Sequence, residues 1–172
     1  TLPTQHGPAN LLRLDPTGHR AAMVLFPHDD LKGWCGVYPP EVVLAQMRKL
    51  ADGWRLGLQK FERAVRGGRG ATAEDLAVAR TCYNHFASVV NQIEFYLLRP
   101  KLAREGVATT MREIARREMA LAADQYGIAR RHSVIGYEAS NHYYYRPLDL
   151  IEKILNCRDV MARLDRLTAR PS

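Results

Sequence analysis

Four long segments of this chain carry apolar residues at the spacing of an amphipathic α-helix. In the first, the apolar positions recur every three or four residues over roughly six turns: Val43, Met47, Leu50, Trp54, Leu58, Phe61 and Val65. Similar seams run through three later segments: Leu76 to Leu97, Met111 to Ile128 and Leu150 to Leu164. Four such helices with modest connections predict an all-α fold, an antiparallel four-helix bundle with an irregular N-terminal arm.

Proline and capping-box signals predict where the helices begin: Pro39-Pro40, Thr72 with Asp75, Thr110 with Glu113, and Pro147. Glycine, proline and basic residues predict where they end: Gly67 to Gly70, Pro100, Arg130-Arg131, and about Leu167.

The N-terminal arm, residues 1–38, is rich in proline and glycine, and residues 39–172 form the predicted helical bundle domain. The apolar run Ala21 to Phe26 fits either a strand or an extended arm lying on the core. The chain begins at Thr1 without an initiator methionine or a signal-peptide pattern, so we expect it to be a piece of a larger protein.

Composition limits the classes of partner. The net charge is +7, but the basic residues are interleaved with acidic ones, so we expect no specific nucleic acid. No apolar run reaches the ~20 residues of a membrane span, so we expect no membrane. Three cysteines without a CxxC pair indicate neither a disulfide framework nor a zinc site. They favour a reducing, cytoplasmic location.

Several polar residues fall on predicted core faces. Glu94 and Glu118 suggest the inward carboxylates of di-iron bundles, but the chain has no Glu-x-x-His, so we expect no metal and no cofactor. A lone buried carboxylate is costly, so Glu118 is expected to pair with a buried arginine or a loop tyrosine. Three amides of the second helix are expected to anchor the later loop, with direct ligand contact as the alternative: Asn84, Asn91 and Gln92.

Other positions are interpreted as structural. Trp54 lies on the apolar stripe and is predicted to be core. Gly53 and Gly57 weaken a helix, and a close helix–helix approach would explain them. The triplet His28-Asp29-Asp30 is predicted to form a turn, with the start of a metal site or a general acid/base pair as the alternative.

The segment between the last two helices is the candidate site. Residues 136–147 hold four of the eight tyrosines of the chain. Three rings are expected to stack on a ligand: Tyr137, Tyr143 and Tyr145. Four side chains are expected to form hydrogen bonds: Glu138, Asn141, His142 and Arg146. The other interpretation is an ordered crossover whose tyrosines pack over the end of the bundle.

Five stretches resemble the C-terminal helical region of large bacterial glycoside-hydrolase-like proteins: residues 38–41, 50–54, 91–96, 138–145 and 149–157. In those proteins a catalytic barrel precedes a helical module. The resemblance spans roughly residues 34–165 and implies a carbohydrate context in which the absent barrel would hold the acid/base pair.

These observations predict a helical accessory module of a larger carbohydrate-active protein, whose aromatic loop contributes to a binding rim or a domain interface. The predicted partners are a carbohydrate ligand and another domain or chain. We do not expect this chain alone to be catalytically complete, because no convincing carboxylate pair is present. The alternatives are a self-standing protein–protein interaction module and, last, a complete hydrolase.

Overall fold

The protein is an all-α antiparallel bundle of four long helices with an N-terminal arm, as predicted. A computed structural model describes residues 7–20, 29–68, 70, 72–135, 137–138, 142–143 and 145–169. The helices are α1 (Leu31–Cys35), α2 (Pro40–Arg66), α3 (Ala73–Leu98), α4 (Val107–Arg131) and α5 (Pro147–Thr168), with a 3-10 turn at Arg99–Lys101. Two short strands, β1 (Tyr137–Glu138) and β2 (His142–Tyr143), lie between α4 and α5.

Consecutive helices pack against each other in chain order. Arg48 of α2 contacts Glu94 near the end of α3, whereas the later Trp54 contacts Ala79 near its start, so the two helices are antiparallel. The same reversal holds for α4 and α5, where Glu118 meets Lys153 and the earlier Arg112 meets Asp165. Helix α3 therefore lies between α2 and α4, and α4 lies between α3 and α5.

Local signals set most of the helix ends. Pro40 stands in the first turn of α2, and Pro147 stands in the first turn of α5, where a missing N–H costs nothing. At the start of α3 the predicted capping box is complete, because Thr72 Oγ1 accepts from the Asp75 amide at 3.1 Å and an Asp75 carboxylate oxygen accepts from the Thr72 amide at 3.0 Å.

Two predictions about the elements are corrected. Helix α4 begins at Val107, not at Thr110, because Gly106 adopts a left-handed φ of 76° that turns the chain into the helix earlier. The Thr110 hydroxyl donates to the Gly106 carbonyl instead of capping. The arm is also not wholly irregular, since it contains α1, whose first turn is capped by Asp30. The run at residues 21–26 lies outside the described residues.

The apolar stripe of α2 is narrower than predicted. Helix α2 buries residues at a spacing of seven, namely Leu44, Ala51 and Leu58. Leu50 and Trp54 remain 39% and 37% exposed, so the prediction that Trp54 is core is wrong. The physical reason is that a helix at the edge of the bundle buries only the face that meets its neighbour. The Trp54 indole N–H donates to the Ala79 carbonyl at 2.8 Å.

Within the described part of the chain Gly53 and Gly57 do not mark a close helix approach, because a Cβ added at either position would meet nothing within 4 Å. Glycine in an α-helix costs about 0.5–1 kcal/mol relative to alanine. We therefore expect Gly53→Ala and Gly57→Ala each to raise the free energy of unfolding by about that amount. Urea denaturation of the single and double variants measures this, and a loss of stability would contradict the open geometry.

Candidate functional site

The backbone of the tyrosine-rich segment forms a small antiparallel ladder. Residue 137 pairs with residue 143, and residue 138 pairs with residue 142. We call this antiparallel pair of short strands between α4 and α5 the hairpin. Five predicted site residues are not placed by this ladder: Asn141 and the side chains of Tyr137, Glu138, His142 and Tyr143 lie outside the described part of the chain.

Tyr145 is placed and points into the bundle. Its side chain is buried, and the ring packs in a small cluster with Ala122 and Leu150. Its phenol oxygen lies 2.5 Å from Nδ1 of His85 on α3. A ring held in this way fixes the end of the hairpin to the bundle. The expected role of Tyr145 as an outward stacking surface therefore does not fit its position.

Arg146 is exposed and precedes the first turn of α5. Its Nε and Nη2 donate to the two carboxylate oxygens of Asp149 at 2.8 and 3.0 Å. This fork-shaped pair orients the guanidinium at the base of the hairpin. With 61% of its side chain exposed, Arg146 remains accessible to a ligand or a partner surface.

The N-terminal arm meets the hairpin at Gly7. A Cβ at this position would lie 2.6 Å from the Tyr145 hydroxyl and 3.0 Å from His85 Nδ1. Only glycine leaves room for that contact, so the arm, α3 and the hairpin close on one another here. Sequence reasoning missed this junction, because a single glycine in a proline-rich segment carries no signal of a long-range neighbour.

A charged pair lies at the centre of the bundle. Lys153 Nζ donates to Glu118 Oε2 at 2.9 Å, and neither side chain has any exposed surface. Ser88 Oγ and Asn91 Nδ2 also donate to this carboxylate, each at 2.9 Å. The prediction that Glu118 pairs with an arginine or a loop tyrosine is therefore wrong. The sequence did contain a signal for this pair, because Lys153 lies on the apolar seam of α5 between Leu150 and Cys157 and is therefore buried.

This buried polar cluster holds the backbone of the arm. Lys153 Nζ donates to the Asn10 carbonyl, and Gln92 Nε2 donates to the Gly7 carbonyl at 3.0 Å. On α5, Asn156 bonds both the amide and the carbonyl of Leu12, at 2.8 and 3.0 Å.

In the described part of the chain the amides of α3 bond to neighbouring helices and to the arm, so the prediction that they anchor the loop is wrong. Asn91 donates to the Glu118 carboxylate, and Gln92 donates to the Gly7 carbonyl of the arm, as described above. Asn84 donates to Asp124 at 2.9 Å and to Gln125 at 3.1 Å, both on α4. The hairpin is instead held through His85, a residue that lies beside the apolar seam.

A second polar contact fixes the end of the arm to the 3-10 turn that follows α3. Asp29 is buried and accepts from the Thr17 hydroxyl at 2.6 Å, the Thr17 amide at 2.8 Å and Arg99 Nη1 at 3.0 Å. Burial alone would raise the pKa of Asp29, but these hydrogen bonds and the Arg99 charge outweigh it and lower the pKa. The residue acts here as an internal acceptor.

The lowered pKa of Asp29 predicts a dependence of stability on pH. The carboxylate contributes stability above its unfolded pKa of about 3.9, and that contribution is lost as the pH falls through the lower folded value. We expect Asp29→Asn to be less stable at neutral pH and to lose less stability than the native chain as the pH falls below about 4. Urea denaturation across this range measures both, and equal acid sensitivity of the two proteins would contradict the prediction.

The cysteines are free and do not act as low-pKa thiols. Burial raises the pKa of Cys157 to about 12, with Lys153 opposing the shift and Glu118 adding to it. Burial and the nearby Glu41 raise the pKa of Cys35 to about 11. Among the described residues no three histidine, cysteine or acidic side chains come together to hold a metal ion. No described helix has the length and apolar content that a membrane span requires.

Comparison of the chain with protein-family models, with curated proteins and with solved structures finds no match.

Proposed function

We propose that this chain is a cytoplasmic helical accessory module of a larger carbohydrate-active, glycoside-hydrolase-like protein. In this proposal residues 136–146 contribute to a binding rim or to the interface with a neighbouring carbohydrate-active domain. The Tyr145 contact with His85 supports a rigid hairpin, because it pins one end of the segment to α3. A pinned hairpin loses less conformational freedom when it binds a partner.

The observation that carries this proposal is the set of exposed apolar side chains on either side of the hairpin. Val134 is 79% exposed just before it, and Leu148 is 72% exposed just after it. Leu148, Ile151 and Leu155 recur at helical spacing on α5, and all three are exposed. Exposed apolar side chains that share one face of a helix are typical of an interface.

Charge favours an acidic partner surface. Arg130 and Arg131 are exposed at the end of α4, and Arg146 is exposed at the start of α5. The whole chain carries a net charge of +7. A carbohydrate-active domain whose surface near its cleft is acidic would complement this end of the bundle.

The ligand role is tested by calorimetric titration of the chain with a panel of neutral and acidic oligosaccharides. We expect saturable binding that is weakened by Tyr143→Ala in the hairpin. Tyr38→Ala is the matched control, because Tyr38 is 64% exposed and precedes α2. Absence of binding by this chain, and by a longer product of the same reading frame, would remove the ligand role.

One observation favours the alternative of a self-standing interaction module that pairs with a second copy of itself. A shallow apolar groove of about 490 Å³ runs along α2, and its lining includes Leu50, Gly53, Trp54 and Gly57. Two small residues one turn apart would let the same helix of another copy approach closely. Light scattering after size exclusion tests this, with Leu50→Asp as the disrupting variant. A monomer at all concentrations would rule the alternative out.

A further inference from the structure

A second groove lies at mid-length of the bundle, between α2, α3 and α4. Its volume is about 350 Å³, at the lower end of the range for small-molecule sites. Three alanines, one from each helix, line it and leave space that larger side chains would fill: Ala51, Ala87 and Ala120. The groove is therefore a concave site of the size of one small ring.

Two guanidinium groups converge beside this groove. Arg48 Nη2 of α2 and Arg117 Nη2 of α4 donate to opposite oxygens of Glu94 on α3, at 2.5 and 2.6 Å. Arg48 Nε donates to the same carboxylate, and Arg117 Nε donates to Asn91 Oδ1 at 3.0 Å. Because Glu94 is only 17% exposed on its side chain, it holds both arginines at a defined place.

Both arginines beside the groove keep N–H donors that these contacts do not use. Arginine has five N–H donors, and the contacts above use Nε and Nη2 of both guanidinium groups. Within the described residues the Nη1 group of Arg48 and that of Arg117 make no hydrogen bond. About half of each side chain is exposed, at 53% and 49%. Guanidinium N–H groups of this kind are suited to a carboxylate.

The rest of the lining is suited to hydroxyl groups and a ring. Asp52 is exposed and offers acceptor oxygens, and its only ion pair in the described residues is a long 3.5 Å contact with Arg55. Tyr83 is half-buried in the wall of the groove, and tyrosine offers an apolar face and a polar tip. Arg48 and Arg117 balance Glu94 and Asp52 in charge, so the unused guanidinium donors carry the preference for an anion.

We propose that this groove binds a small hydroxylated carboxylate of the sugar-acid class. The ligand carboxylate accepts from Nη1 of Arg48 and Arg117, and its hydroxyls donate to Asp52. Its ring lies against Tyr83. The site is separate from residues 136–146 and does not rest on the role proposed for them.

The test is an NMR titration of the full chain with D-glucuronate, with D-glucose as the uncharged match and inorganic phosphate as a simple anion. We expect saturable shifts for glucuronate in residues 48–52, 83–91 and 117–121. We expect none for glucose, and weaker binding for phosphate. Equal binding of glucose or of phosphate would overturn the proposal, as would the absence of saturable shifts with glucuronate.

A matched pair of variants tests the arginine role. Arg117→Gln is expected to weaken glucuronate binding by about tenfold or more, because one charge-assisted contact is lost. Arg116→Gln is the control, since Arg116 is next to Arg117 in the chain but its exposed guanidinium pairs with Glu113 outside the groove. Arg48→Gln removes the partner donor from a different helix and should match Arg117→Gln. Equal weakening by Arg116→Gln, or no weakening by either groove variant, would contradict the proposal.

Discussion

Replacing Lys153 by methionine is expected to lower the free energy of unfolding by about 3–5 kcal/mol. The substitution leaves the Glu118 carboxylate in the centre of the bundle without its counter-charge, although Ser88 and Asn91 still donate to it. It also removes the donor to the Asn10 carbonyl, so the arm loses a contact. Urea denaturation followed by circular dichroism measures the loss.

The control separates the lost pair from the lost lysine. Lys101→Met removes an exposed lysine and is expected to change stability by less than about 0.5 kcal/mol. The double variant Lys153→Met with Glu118→Leu is expected to recover much of the loss, because no unpaired charge stays buried. A double variant no more stable than Lys153→Met alone would contradict this explanation, and so would a single variant of native stability.

Truncating Leu12 to alanine is expected to cost about 2–5 kcal/mol, as for a leucine in a packed core. Leu12 belongs to the N-terminal arm, yet it is 1% exposed and belongs to the same hydrophobic cluster as Ile93, Phe95 and Leu164. Asn156 holds its backbone at both the amide and the carbonyl. The arm is therefore expected to unfold together with the bundle, in one transition.

Leu148→Ala is the matched control for this second prediction, because Leu148 is 72% exposed on α5. It is expected to change stability by no more than about 0.5 kcal/mol. Hydrogen exchange gives an independent measure, since the Leu12 amide should exchange only through global unfolding. Rapid exchange at Leu12, or a loss under about 1 kcal/mol for Leu12→Ala, would show that the arm is not part of the core.

The candidate site was less predictable than the fold. The tyrosine-rich composition of residues 136–146 identified the segment, but composition does not indicate which rings turn inward. Tyr145 does so because His85 and Gly7 lie beneath it, from parts of the chain that are far away in sequence. The groove beside Arg48 and Arg117 had no sequence signal, since its donors come from two helices and converge only through Glu94 on a third.

Sequence alone determined the class of the fold and most helix ends, because helical periodicity, capping boxes and prolines depend only on residues close together in the chain. The Thr72–Asp75 box and Pro147 are examples. The tertiary structure decided which polar groups meet, because that depends on the register of antiparallel helices. The register pairs Lys153 with Glu118 and leaves Trp54 partly exposed on the outer helix α2. It also buries Leu12 of the arm in the hydrophobic core. Buried charges must find partners, and only the packed chain shows which partners are within reach.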